Sequence, residues 1–282
     1  MLQAKQYSVS QYCQSLTDKE DWIAVEEPLE IWLKQYVTPQ QTQSSHLLTT
    51  MRTPGNDIEL VKGWLHASGL VDMAWVLSIE ATGTEALKHQ HSNRVVLTLK
   101  PGKVIRFDKA QRMQTANSSC GVCGQQSIEW LMDDLPAIEP INRISMAASR
   151  IMLMPARLQN AQQQFHKTGA LHAAALIDSD GNLIDIFEDV GRHNAMDKLV
   201  GNNLANLPGK FAVVLSGRVS FEMVQKSAKA GISMIIAVGA PTSMAVDLCR
   251  EWNIALIGFS KSERFNLYHG HSQILDDSDI AN

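Results

Sequence analysis

The sequence predicts an α/β protein, and its second half predicts a layered domain in which strands alternate with helices. From about residue 136, short apolar runs such as FAVVLSG, ISMIIAVG and IALIGF are separated by helical segments of about 10–12 residues. This alternation is typical of crossover connections, so we expect a largely parallel sheet with helices on both faces. With 45% hydrophobic and 19% charged residues, the chain has enough apolar side chains for a substantial core.

Length, charge and cysteine content exclude several classes of protein. The 282 residues suffice for one large domain or two ordinary ones, and a net charge of -4 argues against a general binder of nucleic acid or membrane surfaces. The start, MLQAKQYSVSQYCQ, lacks the apolar core of a signal peptide, and no apolar run reaches the roughly 18–20 residues of a membrane span. Four cysteines do not make a disulfide framework, so we expect a cytoplasmic protein with Cys249 buried in a helix.

The first half has a mixed α+β pattern. Residues 1–20 are polar and are expected to form a flexible N-terminal arm, followed by an α+β domain over 21–135. Within that domain, RTPGNDIELVKGWLHASG predicts a turn and then a helix that is capped at Asn56 and ends at Gly69. The stretch 95–107 predicts a β-hairpin across a Pro-Gly turn.

The second half, residues 136–282, carries the layered pattern. A helix over about 141–166, broken or bent at Pro155, leads to strands in LHAAALID and NLIDIF on either side of a DSDG turn. A helix then begins near Arg192, and the alternating strands and helices follow it to the end of IALIGF.

Three loops of this domain carry small and polar residues where a strand leads into a helix. They are DVGRHNAMDK (189–198), LSGRVS (215–220) and VGAPTS (238–243). In open α/β sheets such loops meet at the carboxyl ends of the strands, where helix N-termini and backbone amides favour anions. Arg218 can add a bidentate phosphate contact. Any one loop is typical of an ordinary capped turn, but together the three predict a pocket for a phosphorylated or pyrophosphate-bearing ligand.

Two cysteines, Cys120 and Cys123, lie three residues apart in SSCGVCGQQ. A structural zinc site needs four ligands, and the sequence has no second C-x-x-C and no suitably spaced histidine pair, so no metal site is assigned. The neighbouring Gly121 and Gly124 predict a mobile loop. A mobile dithiol suits either sulfur carriage or redox exchange, and the residues alone do not separate the two.

Blocks of sequence spread over residues 26–270 form a recognisable pattern. They are EEPLEI (26–31), RTPGND (52–57), SSCGVCG (118–124), the TG and HAAAL of TGALHAAAL (168–176), EDVGRHNAMDKLVG (188–201), LSGRVSFEMVQKSAKAG (215–231), GAPTS (239–243) and the GF and RFNLYHG of 258–270. Together they resemble the FdhD family of formate dehydrogenase accessory sulfur carriers, and EDVGRHNAMDK is a highly specific block.

The resemblance implies a function and a set of partners. It implies a sulfurtransferase that takes persulfide sulfur from a cysteine desulfurase onto Cys120, with Cys123 as relay or resolving thiol. The sulfur would go to the bis(molybdopterin guanine dinucleotide) molybdenum cofactor, bound as a substrate, and a GDP-like moiety is a candidate ligand by itself. Formate dehydrogenase would be the recipient, and the protein a homodimer that uses neither nucleic acid nor membrane. The residues expected to bind the cofactor are Phe259, Ser260, Lys261, Ser262, Glu263, Arg264, Arg192, His193, Ser216, Gly217, Arg218, Thr242 and Ser243.

The resemblance also implies a three-layer, cytidine-deaminase-like core for the C-terminal domain. Zinc deaminases carry H-x-E on one helix and P-C-x-x-C at the next strand-to-helix turn. Here the corresponding helix begins HNA, with Ala195 in the glutamate position, and the next turn, SGRVS, has no cysteine. Deamination is therefore not expected.

One block departs from the family pattern GF-x-R-x-G-R. This chain has GFSKSER, with Lys261 where arginine is usual and Glu263 in place of glycine, while Arg264 is retained. Lysine keeps the charge but lacks the planar fork of arginine, and glutamate adds negative charge beside the expected phosphates. Two other functions stay open, a molybdenum-cofactor-binding chaperone that transfers no sulfur and a dithiol oxidoreductase.

Overall fold

The architecture comes from a computed structural model that describes residues 3–13, 15–82, 93–105 and 143–276. The strands are β1 (Ala4–Cys13), β2 (Ser15–Ala24), β3 (Glu27–Thr38), β4 (Gln41–Arg52), β5 (Val76–Thr82), β6 (Arg94–Leu99), β7 (Met146–Ala147), β8 (His172–Ile177), β9 (Leu183–Asp189), β10 (Ala212–Leu215), β11 (Met234–Ala237), β12 (Ala255–Lys261), β13 (Arg264–His269) and β14 (Ile274–Leu275). The helices are α1 (Asp57–Ser68), α2 (Ala148–Ala161), α3 (Gln163–Thr168), α4 (Arg192–Asn203), α5 (Phe221–Lys229) and α6 (Ser243–Glu251). Within these ranges, none of the helices is long and apolar enough to cross a membrane.

The N-terminal sheet has the strand order β4-β3-β6-β5 and is covered on one face by α1. Strand β3 alternates buried and half-buried residues, as expected for a strand with one face on a core. The predicted helix is confirmed, because α1 follows Asn56 and ends at Gly69, which has a φ of 61°. The predicted cap by the Asn56 side chain is wrong. Asn56 has a left-handed backbone conformation, and its side chain accepts no hydrogen bond from a helix amide.

The hairpin predicted over 95–107 is also wrong where the structure describes it. Strand β6 ends at Leu99 and a turn follows, but residues 103–105 form no strand. The reason lies in the sheet, because β6 is a central strand that pairs with β3 on one side and β5 on the other. No free edge of β6 is left for a hairpin partner.

Residues 4–24, most of which were expected to be a flexible arm, form a regular antiparallel ribbon of β1 and β2. The base of this ribbon is held by the body of the protein, since Ala4 is buried and the Lys167 ammonium lies 3.5 Å from the centre of the Trp22 ring. Most of its other side chains are exposed, and this is why the polar sequence suggested a loose segment. The proposed boundary between the domains, near residue 135, lies outside the described residues and stays a prediction.

The C-terminal domain has a six-stranded sheet in the order β13-β12-β11-β10-β8-β9. Its apolar residues pack against α4, α5 and α6 on one face and against α2 on the other, so the predicted layered α/β fold is confirmed. The expectation of a largely parallel sheet is wrong, because only β10, β11 and β12 run parallel. Tight turns join β8 to β9 and β12 to β13, and strands joined in this way are necessarily antiparallel.

The long helix predicted over 141–166 is two helices with a different break. In the described part, α2 begins at Ala148 and runs through Pro155, and the break falls at Gln162 before α3. Two residues near the start of the expected helix instead form strand β7, which pairs with β14.

The two domains meet where α1 crosses α4 with their backbones in contact. A Cβ atom placed on Gly63 would lie 1.9 Å from the Asp197 carbonyl oxygen, and one on Gly201 would lie 1.9 Å from the Glu59 carbonyl oxygen. Only glycine fits at these two positions, because any larger side chain would force the helices apart.

Beside this crossing, a buried polar network, which we call the junction, joins RTPGND of the first domain to EDVGRHNAMDK of the second. Asp189 accepts from the Thr53 amide at 3.1 Å and pairs with Lys198 at 2.7 Å. Lys198 also donates to the Thr53 carbonyl at 2.8 Å, and Asn194 donates to the Met51 carbonyl at 2.7 Å. These groups are buried and paired, so they fix one domain on the other.

Candidate functional site

The three loops singled out from the sequence follow β9, β10 and β11. They lie at the edge of the sheet where β9, β10, β11 and β12 end, which we call the carboxyl edge. Backbone hydrogen bonds link the loops after β10 and β11 to each other and to Phe259 of β12. The Gly239 amide donates to the Gly217 carbonyl at 3.2 Å, and the Phe259 amide donates to the Gly239 carbonyl at 3.1 Å. The Thr242 amide donates to the Val219 carbonyl at 3.0 Å. The backbone at the ends of β10, β11 and β12 therefore forms one continuous surface rather than separate turns.

Glycine is required at the centre of this surface. A Cβ atom on Gly239 would lie 2.7 Å from the Gly217 carbonyl carbon and 2.8 Å from the Arg218 amide nitrogen. These are backbone atoms that cannot rotate away, so a side chain at position 239 would separate the loops.

A group of basic side chains gathers at the same edge. Arg192 and His193 begin α4, Arg218 follows β10, and His172 begins β8. Burial lowers the pKa of His172, and the charges of Arg192, His193 and Arg218 lower it further. Such a cluster at a helix N-terminus attracts an anion.

Several polar atoms at this edge have no partner in the described part of the chain. They are Arg192 Nε, Ser220 Oγ and Ser260 Oγ, all of them buried. Buried polar atoms are normally hydrogen-bonded, so these three atoms are open to a partner that the described residues do not supply. Together with Arg192 and Arg218, which form no ion pair among the described residues, they fit a ligand that carries phosphate oxygens.

His193 is balanced by a carboxylate. Its Nε2 lies 2.8 Å from Glu222 Oε2 of α5, in the geometry of an ion pair rather than of a linear hydrogen bond. Burial would raise the pKa of Glu222, but contact with His193 and the charges of Lys226 and Arg192 lower it below its usual value. One turn further along the same two helices, Lys226 donates to Asp197 inside the protein. The Lys226–Asp197 pair and the His193–Glu222 pair therefore both join α4 to α5.

The predicted block GFSKSER forms the end of β12, a two-residue turn and the start of β13. Phe259 lies at the carboxyl edge with an exposed side chain and a φ of 49°, which is unusual for a residue other than glycine. Ser260 is buried beside it. The other four residues are exposed in the tight turn where Lys261 pairs with Arg264, and no hydrogen bond or ion pair among the described residues joins them to Arg192 or Arg218. They are Lys261, Ser262, Glu263 and Arg264.

Some predicted contacts already have a structural role. The Thr242 hydroxyl accepts from the Ala245 amide and caps α6, at whose first position Ser243 is exposed. The Ser216 hydroxyl accepts from the Ala173 amide at 2.8 Å and extends the pairing of β8 with β10. The same holds for most of the polar residues in DVGRHNAMDK, because Asp189, Asn194, Asp197 and Lys198 are buried and paired. Of the polar side chains in that loop, only those of Arg192 and His193 lie at the carboxyl edge.

Sequence reasoning missed His172, Ser220 and Glu222 as members of this site. A parallel β8 would have placed His172 at the opposite edge, but β8 runs antiparallel to β10, so its first residue comes next to Gly217. The DSDG turn was the signal, because two strands around a tight turn cannot both be parallel to a third.

The predicted sulfur-carrying residues Cys120 and Cys123 lie outside the described residues. Cys249 is buried as expected, and burial raises the pKa of its thiol to about 12. A thiol with such a pKa is protonated at neutral pH and unreactive.

Comparisons with known proteins agree with the resemblance read from the sequence. The FdhD/NarQ family model matches residues 24–275. A relative from Corynebacterium efficiens named sulfur carrier protein FdhD is 43% identical over 261 residues, which are 89% of this chain and 90% of the relative. Proteins of the same name from Streptomyces avermitilis and Thermoplasma volcanium are 38% and 36% identical, each over 92% of this chain and 91% of the relative.

A solved structure has the same fold. It is that of a proposed formate dehydrogenase accessory protein from Desulfotalea psychrophila, with a TM-score of 0.70 and 21% identity over 97% of this chain and 100% of the other. The structural likeness shows only the fold, whereas the family match and the similar relatives show the family. The chain therefore belongs to the FdhD/NarQ family.

Proposed function

We propose that this protein is a sulfur carrier that binds a phosphate-bearing molybdenum cofactor at its carboxyl edge and supplies it with sulfur for formate dehydrogenase. The observation that carries the proposal is the cluster of Arg192, His193 and Arg218 with unpaired donors around it. Membership of a family whose relatives are named sulfur carriers supports the choice of this function over other uses of an anion site.

The substrate that fits this edge is the bis(molybdopterin guanine dinucleotide) cofactor. Its pyrophosphates would lie at the N-terminal ends of α4 and α5, where Arg192 and Arg218 donate to their oxygens. The exposed ring of Phe259 would stack on a guanine base, and the unusual φ of that residue holds the ring at the edge. GDP contains both a pyrophosphate and a guanine base, so we expect it to bind without the rest of the cofactor.

The sulfur would be carried on Cys120. A persulfide on a cysteine desulfurase passes its outer sulfur to the Cys120 thiolate, and the desulfurase thiolate is released. The carried sulfur must gain two electrons to leave as sulfide. Cys123 supplies them by attacking the Cys120 persulfide, which forms a Cys120–Cys123 disulfide and releases sulfide to the cofactor. A cellular dithiol then reduces the disulfide.

The proposal includes the partners and the setting. The sulfur donor is a cysteine desulfurase, the recipient is formate dehydrogenase, and the protein acts as a cytoplasmic homodimer.

The test of sulfur carriage is mass spectrometry after incubation with a cysteine desulfurase and free cysteine. We expect a gain of one sulfur atom on the peptide that contains Cys120, and we expect reductant to remove it. The gain should disappear in Cys120→Ala and persist in Cys249→Ala, a matched control whose thiol is buried.

The same variants tested for dehydrogenase maturation separate the alternatives. Loss of maturation in Cys120→Ala with an intact fold supports sulfur transfer. Full maturation in Cys120→Ala would instead indicate a cofactor-binding chaperone. A reversible Cys120–Cys123 disulfide that never gains sulfur would indicate a dithiol oxidoreductase.

A further inference from the structure

His172 occupies a position that the three-loop prediction did not include. It is the first residue of β8 and is half-buried beside Gly217. A Cβ atom on Gly217 would lie 3.2 Å from His172 Nδ1 and 3.9 Å from Arg192 Cδ. Because Gly217 has no side chain, the imidazole and the arginine border the same small space.

The charged groups that act on His172 are Asp189 at the end of β9, Arg192 and His193 on α4, and Arg218 after β10. Glu222 of α5 lies beside His193. Both carboxylates are already engaged, Asp189 by Lys198 at 2.7 Å and Glu222 by His193 at 2.8 Å. Arg192 and Arg218 form no ion pair with a carboxylate of the described residues, so His172 faces an excess of positive charge.

The two histidines of the edge therefore differ. His193 has Glu222 as a counter-charge, whereas His172 has no carboxylate in ion-pair distance among the described side chains. Burial lowers the pKa of His172, and Arg192, His193 and Arg218 lower it further, with Asp189 acting weakly in the opposite direction. The free protein thus holds His172 as a neutral imidazole at neutral pH.

We propose that His172 is a ligand-binding residue of the carboxyl edge and that it takes up one proton when a phosphate group binds between Arg192 and Arg218. The inference rests on the proposed function, since it assumes that the edge binds phosphate. The anion neutralises the arginines that disfavour the imidazolium and offers it an oxygen to bond. The proton comes from solvent, and no other bond forms or breaks.

The sign of the pH dependence follows. The complex holds one more proton than the free protein between the low pKa of free His172 and its higher pKa in the complex. Affinity therefore rises as pH falls through this interval, by up to about tenfold per pH unit for one proton. Above the pKa of the complex, His172 is neutral in both states and the affinity is constant.

The test uses a GDP-sugar as probe, because its pyrophosphate is esterified at both ends and does not itself titrate near neutral pH. Calorimetry across the pH range, in two buffers of different ionisation enthalpy, measures affinity and proton uptake together. We expect wild type to take up about one proton and to bind more tightly at low pH. In His172→Gln the uptake and most of the pH dependence should vanish. His166→Gln, at an exposed position, is the matched control and should behave as wild type.

The ring proton signals of His172 in NMR spectra give an independent reading, assigned by their loss in His172→Gln. Saturation with the GDP-sugar should move their titration to higher pH. Binding without proton uptake, or unchanged pH dependence in His172→Gln, would overturn the role of His172 and leave the proposed function standing. No binding of the GDP-sugar by wild type at any pH would overturn both the phosphate site and this inference, while the persulfide test on Cys120 would still decide sulfur carriage.

Discussion

The junction and the carboxyl edge are built from neighbouring residues of one motif, yet they treat polar groups in opposite ways. At the junction, Asp189 and Lys198 are buried and each has several partners within the protein. At the edge, Arg192 Nε and Ser220 Oγ are buried without a partner in the described structure. A fully paired network holds the fold together, whereas unpaired polar atoms are open to the phosphate-bearing ligand that we propose.

The largest loss of stability is expected from a substitution at the junction. Lys198→Met leaves the Asp189 carboxylate buried without its cation, and removing one partner of a buried pair typically costs about 3–5 kcal/mol. Urea unfolding would measure the loss. The control is Arg250→Ala, which removes an exposed pair at 4.0 Å and should cost less than about 1 kcal/mol. Equal stability of the two variants would contradict the structural role of the junction.

A somewhat smaller loss is expected from Gly201→Ala. Alanine normally favours a helix over glycine by about 1 kcal/mol. Here its Cβ would lie 1.9 Å from the Glu59 carbonyl oxygen, and overpacking of this kind costs about 1–3 kcal/mol. Unfolding measurements should therefore show destabilisation, with the exposed helical variant Gln159→Ala close to wild type. A stabilised Gly201→Ala protein would mean that α1 and α4 do not touch.

At the edge, the expected effect moves from stability to affinity. Arg218 is exposed, so Arg218→Ala should change the free energy of unfolding by less than about 0.5 kcal/mol. The loss of a hydrogen bond to a charged ligand should weaken binding of the GDP-sugar by about ten- to hundredfold. Arg250→Ala removes the same charge away from the site and serves as the control. If both variants weaken binding equally, the contribution of Arg218 is only general attraction.

The smallest effect is expected from Ser220→Ala, and it distinguishes a role of Ser220 in the fold from a role in ligand binding. The Ser220 hydroxyl has no partner in the described structure, so Ser220→Ala should leave stability unchanged or raise it by up to about 1 kcal/mol. Binding of the GDP-sugar should weaken by a few-fold because one donor is lost. Thermal unfolding with and without ligand measures both changes. Destabilisation of the ligand-free protein would show that Ser220 belongs to the fold and not to the site.

The sequence predicted the layers and loops better than the strand directions and side-chain roles. Helix ends such as Gly69 were predictable because they depend on local backbone chemistry. The position of His172 was not, since it depends on whether β8 is parallel or antiparallel to β10. Asp189 and Arg192 lie in the same loop with equally polar side chains, and only the packing of α1 against α4 turns one inward and leaves the other at the edge.

The contact of α1 with α4 has a consequence for how the protein can be divided. Each half of the chain on its own would expose a groove shaped for the other helix, and the second half would also expose buried charges such as Lys198 without their carbonyl partners. Neither half should therefore behave as an independent module in a truncated or fused protein. The two regions look like separate domains in the sequence, but they should unfold in a single transition.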